Sequence, residues 1–330
     1  MLSNALTVVG GVVDTVLDRT VAPGYSKVGL AVRRHLPGWP PDPAPGALQG
    51  RAVAVTGPTS GLGTATAEGV AALGGDVHLV VRDEEKGRQL AADLSGRHPG
   101  VEVRVWRCDV GDLDDVRRFA RELVGSGVRL DALVHNAGSM PPVRTLSPQG
   151  HELTMAVHVL GPVVMTDELL PALRPGARVV LVTSGGMYSQ ALPVDDPQYL
   201  RGDYAPATAY ARSKRAQVEL LPVLQERWGR HGVSVHATHP GWADTPGVQT
   251  SLPTFRRLTG PVLRDAEGGA DTTIWLLAVR PTPEPGGLWH DRRRRPTSLV
   301  RRTRPTEEQR RRFWEWTVEA ARLEEVRPRR

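Results

Sequence analysis

The chain has 330 residues, which is enough for one large α/β domain or two small ones. Apolar residues make up 40% and charged residues 24%. These fractions are typical of a globular chain that is long enough to bury a sizeable core without disulfide bonds. Cys108 is the only cysteine, which excludes an intramolecular disulfide and fits a reducing compartment.

The net charge of +6 comes mainly from arginines near the C-terminus. They stand at Arg292 to Arg295, Arg301, Arg302, Arg304, Arg310 to Arg312, Arg329 and Arg330. Since arginine outnumbers lysine throughout the chain, the excess indicates a compositional preference and a solvated basic face, with contact to an acidic surface as the alternative. We expect no nucleic-acid partner and no metal site.

The N-terminal part is predicted to be an extension of the main domain. Residues 2–20 can form an amphipathic helix in which Leu2, Leu6, Val9, Val13 and Val16 share one face, with Asp14 and Asp18 off that stripe. We favour docking of this helix on its own domain or on a second subunit over attachment to a membrane. Residues 37–46 are too rich in proline and glycine for a helix or central strand, so they form a linker. No spanning segment or secretory signal is visible in the sequence, so a cytoplasmic protein is expected.

From residue 51 onward, short apolar runs alternate with helical patterns. Six runs are typical of buried parallel strands: Arg51–Thr56, Val77–Val81, Val101–Arg107, Ala132–His135, Arg178–Thr183 and Val233–His239. Helical patterns occupy about 61–73, 84–95, 112–125, 149–173, 207–229 and 265–279. This alternation predicts an α/β fold with one Rossmann-type, doubly wound parallel sheet of about seven strands. We expect a catalytic domain over 48–292, between an extension at 1–47 and a basic C-terminal extension at 293–330.

A glycine-rich loop follows the first predicted strand and opens a helix. It reads Thr56-Gly57-Pro58-Thr59-Ser60-Gly61-Leu62-Gly63. Glycines at such a place let the backbone turn tightly and approach a pyrophosphate, which the free N–H groups and dipole of the helix N-terminus stabilise. The loop therefore predicts a dinucleotide site at the carboxyl edge of the sheet.

The end of the second strand predicts which dinucleotide is bound. Arg82 stands 19 positions after Gly63, where an acidic residue would select NAD through the ribose 2′-hydroxyl. A guanidinium there suits a 2′-phosphate, so NADP(H) is the expected cofactor. If the strand ended one residue later, Asp83 would place a carboxylate at the ribose and select NAD instead. Arg82 could also simply form an ion pair with Asp83 or Glu84.

Two further strand ends add candidate cofactor contacts. Asp109 and Val110 follow the third strand, and Asn136, Ala137 and Gly138 follow the fourth. The carboxylate can accept from an adenine amino group, and the small residues let the backbone lie against the cofactor. Either group alone is also ordinary turn chemistry.

Tyr210 and Lys214 are the candidate catalytic pair. At spacing i and i+4 on a helix they project from one face, where an ammonium would lower the pKa of the phenol. Ser184, at the end of the fifth strand, could polarise a substrate carbonyl. Thr183, in the same turn, is the alternative candidate for this role.

The stretch from His239 to Thr245 follows the sixth strand. Pro240 and Gly241 would form a turn beside the nicotinamide, and Thr245 could contact its carboxamide or the phosphates. Residues of about 246–258 would cover an apolar substrate pocket, to which Leu252, Pro253, Phe255, Met187, Tyr188 and Trp242 are assigned.

Together these motifs resemble the short-chain dehydrogenase/reductase superfamily over about residues 50–290, and within it the retinol-dehydrogenase-like branch. The resemblance implies hydride transfer between NADP(H) and a carbonyl or alcohol, with Lys214 also binding the nicotinamide ribose and Tyr210 as acid or base. Oligomers are frequent in this superfamily, although the sequence fixes no number of subunits.

One residue departs from the family pattern. The helix after the fourth strand usually carries an Asn, where a relay water links the catalytic lysine to solvent, and here that place holds His158. A histidine could support the relay or displace the water. Two functions follow: an NADP-dependent oxidoreductase acting on an apolar carbonyl or alcohol, or a non-catalytic NADP-binding protein. A third is a peripheral protein attached to an anionic surface by its N-terminal stripe or basic tail.

A last helix is expected over 306–325. Thr306 and Gln309 can form its capping box, and Phe313, Trp316, Ala320 and Leu323 make an apolar stripe that would pack on the domain or on a second subunit.

Overall fold

The β-branched and aliphatic runs form one sheet in a computed structural model that describes residues 2–20, 22–244, 256–257 and 259–324. Its strands are β1 (Ala52–Thr56), β2 (Asp76–Val81), β3 (Val103–Arg107), β4 (Leu130–His135), β5 (Leu173–Val182), β6 (Ser234–Thr238), β7 (Gly287–His290) and β8 (Arg293–Arg295). Their order is β3-β2-β1-β4-β5-β6-β7-β8, with β1 to β7 parallel and only β8 antiparallel to its neighbour. The predicted doubly wound sheet is confirmed, and a short edge strand continues it beyond residue 292.

Helices cover both faces of the sheet. They are α1 (Leu2–Arg19), α2 (Ala22–Tyr25), α3 (Lys27–Arg34), α4 (Gly61–Ala72), α5 (Glu84–Arg97), α6 (Leu113–Gly125), α7 (Leu153–Met155), α8 (Gly161–Leu169), α9 (Pro206–Glu219), α10 (Leu221–Gly229), α11 (Ala266–Ala278) and α12 (Glu307–Ala321). One core packs α4 and α11 against the sheet around Val70 and Leu276, and the other packs α6, α8 and α10 around Phe119 and Trp228.

Two long predicted helices are interrupted in the structure. The one expected at 149–173 begins at Leu153 and contains a π-turn over Ala156–Leu160 before α8. The one expected at 207–229 divides at Leu220 into α9 and α10, because Pro222 lacks the N–H that a continuous helix would need. A π-turn inside a helix is frequent at functional sites, and this one carries His158.

The first helix docks on its own domain through the face that carries two aspartates. Asp14 and Asp18 are 4% and 5% exposed, whereas Val16, on the predicted apolar stripe, is 56% exposed and Val13 is half-buried. Docking of helix α1 on its own domain, one of the two expected arrangements, is therefore what the structure shows. No helix in the described parts of the chain is long and apolar enough to cross a bilayer.

The orientation of helix α1 is explained by arginines that we expected to be solvated but that are buried. Arg292 and Arg295 are 5% and 7% exposed. The Arg295 guanidinium donates to both oxygens of Asp14 at 2.8 Å, and Arg292 binds Asp271 at 2.7 Å. A buried charge is tolerated only when it is paired, so the pairing of Asp14 with Arg295 orients helix α1.

The C-terminal helix forms as predicted. Thr306 and Gln309 make a capping box at the start of α12, and Phe313 is fully buried against the domain. Its apolar stripe therefore packs on the chain's own domain.

We expect the folded state to lose stability below about pH 6.5, because several histidines are buried in the neutral form. Burial lowers the pKa of His78 and His236 to about 4 and that of His135 and His290 to about 3. Below the unfolded-state pKa of about 6.5, the unfolded chain binds protons that the folded chain does not. The free energy of unfolding therefore decreases as the pH is lowered, by up to about 1.4 kcal/mol per pH unit for each of these histidines.

Urea unfolding between pH 4.5 and 8 measures this slope. Neither ring nitrogen of His236 has a hydrogen-bond partner among the residues that the structure describes, so His236→Leu should flatten the slope by about one proton. His231→Leu, at an exposed position, is the matched control. A stability that stays constant down to pH 5 would contradict the prediction.

Candidate active site

The glycine loop after β1 is shaped by close backbone approaches. Gly57 and Gly61 have φ values of +62° and +52°, which favour glycine. A Cβ on Gly63 would lie 2.1 Å from the carbonyl oxygen of Gly57, so no other residue fits there without a shift of the loop. Ser60 is the N-cap residue of α4, yet its hydroxyl makes no capping bond to the helix. The loop thus leaves a cradle of the kind that a pyrophosphate fills at a helix N-terminus.

Thr56 and Asn136 hold this cradle together. The Asn136 Nδ2 amide donates to the carbonyl oxygens of Thr56 and Gly57 at 3.1 and 3.0 Å. The Thr56 hydroxyl accepts from the backbone N–H groups of Asn136 and Ala137, each at 3.0 Å. The structure therefore brings these predicted cofactor residues together, but it uses the polar side chains to fix the backbone of the loop.

The strand ends at the adenine side are also preorganised. The Asp109 carboxylate accepts from the Gly111 N–H at 2.9 Å, and its own N–H donates to Asp115. A Cβ on Gly161 would be 2.2 Å from the carbonyl oxygen of Val110, which pins this turn against the start of α8. The arrangement holds Asp109 at the carboxyl edge of the sheet, as predicted.

The competing residues Arg82 and Asp83 have different surroundings. Asp83 is the N-cap of α5: its carboxylate accepts from the Lys86 N–H at 3.2 Å and lies 3.5 Å from the Lys86 ammonium. That backbone hydrogen bond lowers the pKa of the Asp83 carboxyl. Arg82 is exposed and enters no ion pair with any residue that the structure describes. Its guanidinium is therefore available to a ligand, whereas the carboxylate is already committed to the helix.

Tyr210 and Lys214 lie on α9 and face the end of β5. The Lys214 ammonium, 2% exposed, donates to the Val182 carbonyl at 2.8 Å and lies 5.6 Å from the centroid of the Tyr210 ring. Burial lowers the pKa of Lys214 to about 7. Burial also raises the pKa of the Tyr210 phenol, partly offset by a hydrogen bond with Ser184. Burial is therefore the main influence on the phenol, and the lowering of its pKa by Lys214 stays a prediction.

The turn after β5 separates the two candidate hydroxyls. The Thr183 hydroxyl is buried and donates to the Lys214 carbonyl at 2.9 Å. Ser184 opens a 3₁₀ turn over Gly185–Ser189, accepts from the Gly186 N–H at 3.2 Å and is the partner of Tyr210. Ser184 therefore faces the candidate site, and Thr183 positions helix α9.

His158 lies directly behind Tyr210. Its ring is fully buried and meets the Tyr210 ring edge-on, with 5.2 Å between the ring centroids. Its Nε2 accepts from the Ser139 N–H at 3.0 Å, which places the ring proton on Nδ1. That Nδ1 donates to the Ser213 hydroxyl at 2.7 Å, and Ser213 donates in turn to the Tyr210 carbonyl at 2.8 Å.

Both ring nitrogens of His158 are therefore used, and its backbone carbonyl accepts from the Gln217 side chain at 2.8 Å. Burial, with a smaller contribution from Lys214, lowers the pKa of His158 well below its usual value. The sequence analysis missed Ser139, Ser213 and Gln217. Ser213 could have been found from its position three residues after Tyr210, where a hydroxyl reaches the i−3 carbonyl.

The turn after β6 is only partly described. Gly241 has a φ of +74°, and a Cβ there would lie 2.6 Å from both the Arg264 guanidinium and the Tyr25 carbonyl. Pro240 and Gly241 thus lie at the predicted edge. Thr245 and the predicted pocket residues Leu252, Pro253 and Phe255 lie outside the described residues.

Two residues assigned to the substrate pocket belong elsewhere. Met187 is fully buried with its sulfur 3.3 Å from the Arg215 guanidinium, and the Tyr188 hydroxyl donates to the Pro296 carbonyl at 2.8 Å. Both face the protein interior, because the 3₁₀ turn after Ser184 directs them inward. No cluster of three metal-ligating side chains occurs within the described ranges.

A glycine cradle at the first strand end and a Ser–Tyr–Lys group beside it define the class: a dinucleotide-dependent oxidoreductase of the Rossmann type. The family model for short chain dehydrogenases matches residues 51–254, so this chain belongs to the short-chain dehydrogenase family.

Similar proteins cover most of the chain. It is 39% identical over 265 residues to dehydrogenase/reductase SDR family member 12 from Bos taurus, covering 78% of this chain and 82% of that protein. It is 36% identical to a Streptomyces sp. (strain C5) protein named for a daunorubicin C-13 ketoreductase, covering 77% and 87%. An uncharacterised Mycobacterium paratuberculosis protein of known structure superposes with a TM-score of 0.68 at 28% identity, covering 86% and 98%.

Proposed function

We propose that the protein is an NADP(H)-dependent oxidoreductase that interconverts an apolar ketone or aldehyde with its alcohol. The observation that carries this proposal is the meeting of Ser184, Tyr210 and Lys214 at one strand edge, beside the glycine cradle. When bound, NADP(H) supplies or accepts the hydride. The cradle around Gly57 and Gly63, which a Cβ would fill, fits such a group.

Each side chain has a role that follows from its surroundings. Ser184 binds the carbonyl oxygen of the substrate and polarises it, while the protonated phenol of Tyr210 donates a proton to that oxygen. Lys214, held by the Val182 carbonyl, would bind the nicotinamide ribose and lower the cost of the phenolate that remains. In the oxidation direction the same groups remove the proton.

The apolar character of the substrate rests on the loops that follow β4 and β5. Val143, Leu146 and Leu200 are 66%, 50% and 70% exposed, and the Arg144 guanidinium joins the two loops by donating to the Gln198 carbonyl. Large exposed apolar side chains grouped at a site edge mark a surface that binds an apolar partner or ligand. The ketoreductase name of the Streptomyces relative also supports a ketone as substrate.

A second candidate function is NADP binding without catalysis. It is favoured by the hydrogen bonds of the His158 ring, whose two nitrogens are occupied by Ser139 and Ser213. A ring with both nitrogens bonded has no polar atom left to hold a relay water next to Lys214.

Tyr210→Phe should reduce turnover by about 10²- to 10⁴-fold, because the variant lacks the general acid. NADPH affinity should change little, because the ring remains. Initial rates with a panel of apolar ketones and aldehydes, together with an NADPH titration, measure both quantities. Tyr204→Phe, which removes a hydroxyl bonded to Glu152, is the matched control. Undiminished turnover in Tyr210→Phe would overturn the assignment.

Arg82→Ala should weaken NADPH binding by about tenfold or more (1.4 kcal/mol) and leave NADH binding unchanged, because only NADPH has the 2′-phosphate. Calorimetric titration with both cofactors checks this. Arg88→Ala, on the following helix α5 and paired with Glu84 and Glu85, is the control. A wild-type preference for NADH would transfer specificity to Asp83.

His158→Asn separates the two candidate functions. If the histidine blocks a relay, the Asn variant should gain turnover by about tenfold or more on the scale of one proton-transfer step. If turnover falls instead, His158 works within the native site and the enzyme proposal stands. Rates measured from pH 6 to 9 with equal NADPH saturation make the comparison.

A further inference from the structure

We propose that Tyr25, in the N-terminal extension, is a positioning residue of the active site that fixes the turn after β5 and the turn after β6 relative to each other. The inference rests on the proposed function, because those two turns carry Ser184 and the nicotinamide-side residues Pro240 and Gly241. It concerns a part of the chain that precedes the residues matched by the family model.

The Tyr25 ring packs against Gly185, the residue that follows Ser184. It is 1% exposed, and a Cβ on Gly185 would lie 2.9 Å from its Cε2 atom. The ring also meets His239 edge-on, with 4.7 Å between the ring centroids. One aromatic side chain therefore contacts both the residue after Ser184 and the residue before Pro240, which themselves lie close together.

The backbone of Tyr25 ties down the second turn. Its carbonyl accepts from the Trp242 N–H at 2.8 Å, as a strand partner would. The same oxygen would be 2.6 Å from a Cβ on Gly241, so the turn passes as close to the N-terminal segment as a glycine permits. The Tyr25 and Trp242 rings also meet edge-on, with 6.4 Å between their centroids.

A buried set of charges holds Tyr25 in place from both flanks. The Arg264 guanidinium donates to the carbonyl oxygens of Gly24 and Ser26, the two neighbours of Tyr25, at 3.1 and 3.2 Å. The same group pairs with the Asp291 carboxylate at 2.6 Å, and Arg33 reaches that carboxylate at 2.6 Å from helix α3. Each of these charged side chains is about 1% exposed. The segment therefore cannot move without breaking buried ion pairs.

The histidines next to Tyr25 are fixed in one tautomer each. His239 Nδ1 accepts from the Gly241 N–H at 3.3 Å, so its proton lies on Nε2. His290 Nδ1 donates to the His239 carbonyl at 3.0 Å, which leaves its Nε2 to face the donors of Arg33 and Arg264. The two rings stack with 3.9 Å between their centroids. Tyr25 thus packs on a rigid surface and transmits its position to both turns.

The contacts of Tyr25 lie around the turns after β5 and β6. Its ring meets the rings of His239, His290 and Trp242 and lies beside Gly185. The glycine cradle is held by Thr56 and Asn136 instead. Loss of the Tyr25 ring should therefore disturb the nicotinamide half of the cofactor site and leave the adenosine half intact.

Two ligands distinguish these halves without any need for turnover. Adenosine 2′,5′-bisphosphate carries the adenosine, the 2′-phosphate and the 5′-phosphate, whereas NADP⁺ adds the second phosphate, the second ribose and the nicotinamide. For Tyr25→Leu we expect calorimetric affinity for NADP⁺ to fall by about tenfold, with affinity for adenosine 2′,5′-bisphosphate within about twofold of wild type. The fluorescence of bound NADPH should shift toward that of free NADPH. Tyr25→Phe, which keeps the ring, should restore most of the loss.

Phe313→Leu is the matched control, since it shortens a fully buried aromatic side chain in the other extension and should leave the affinity ratio unchanged. If Tyr25→Leu does not fold, Gly185→Ala tests the same contact from the opposite side, because its methyl group would displace the ring. The same selective loss of NADP⁺ affinity is then expected.

The inference would be overturned if, in the folded variant, the ratio of the affinities for NADP⁺ and adenosine 2′,5′-bisphosphate equals that of the wild type, whether both affinities are unchanged or both fall equally. A wild-type protein that binds neither NADP⁺ nor NADPH would instead overturn the proposed function itself. The two failures are therefore separate observations.

Discussion

The carboxylate of Asp291 lies almost fully buried between the guanidinium groups of Arg33 and Arg264, and much of the architecture around the site depends on this contact. Burial alone would raise the pKa of this carboxyl, but the neighbouring positive charges hold it well below its usual value. An ion in such a place is stable only if its partners remain. Helix α3, the end of β7 and the start of α11 are therefore joined at one point. The turn after β6 is held between them, since Arg264 also contacts Gly241.

The candidate site combines two kinds of rigidity. Around the glycine loop it comes from backbone proximity, where Gly63 approaches the Gly57 carbonyl and side chains such as Asn136 close the gap. Around Tyr210 it comes from a chain of directed hydrogen bonds that runs from His158 through Ser213 to the backbone of the catalytic helix. Electrostatic stabilisation of a transition state requires groups that need no rearrangement during the reaction. Both halves of the site meet that requirement.

The sheet and the main site residues could be predicted from sequence because their signals are local. A buried parallel strand shows as a run of apolar residues, and Tyr210 and Lys214 share a helix face by spacing alone. The orientation of α1 could not be predicted, because Asp14 faces inward to meet Arg295, which is 281 positions away. Likewise, the role proposed for Arg82 depends on Asp83 serving as the N-cap of α5. A sequence pattern predicts burial from the polarity of each residue. Whether a charged residue is buried depends instead on partners that are distant in the chain.

The separation between Asp14 and Arg295 has a consequence for the order of events during synthesis. The N-terminal extension leaves the ribosome first, yet its partners on β7, β8 and α11 are among the last parts of the chain to emerge. Contacts between such distant positions form late, because the loop that they close must first be ordered. Early in synthesis Asp14 can meet only Arg33, its partner 19 positions away. Its pairing with Arg295 becomes possible only after translation has passed residue 295.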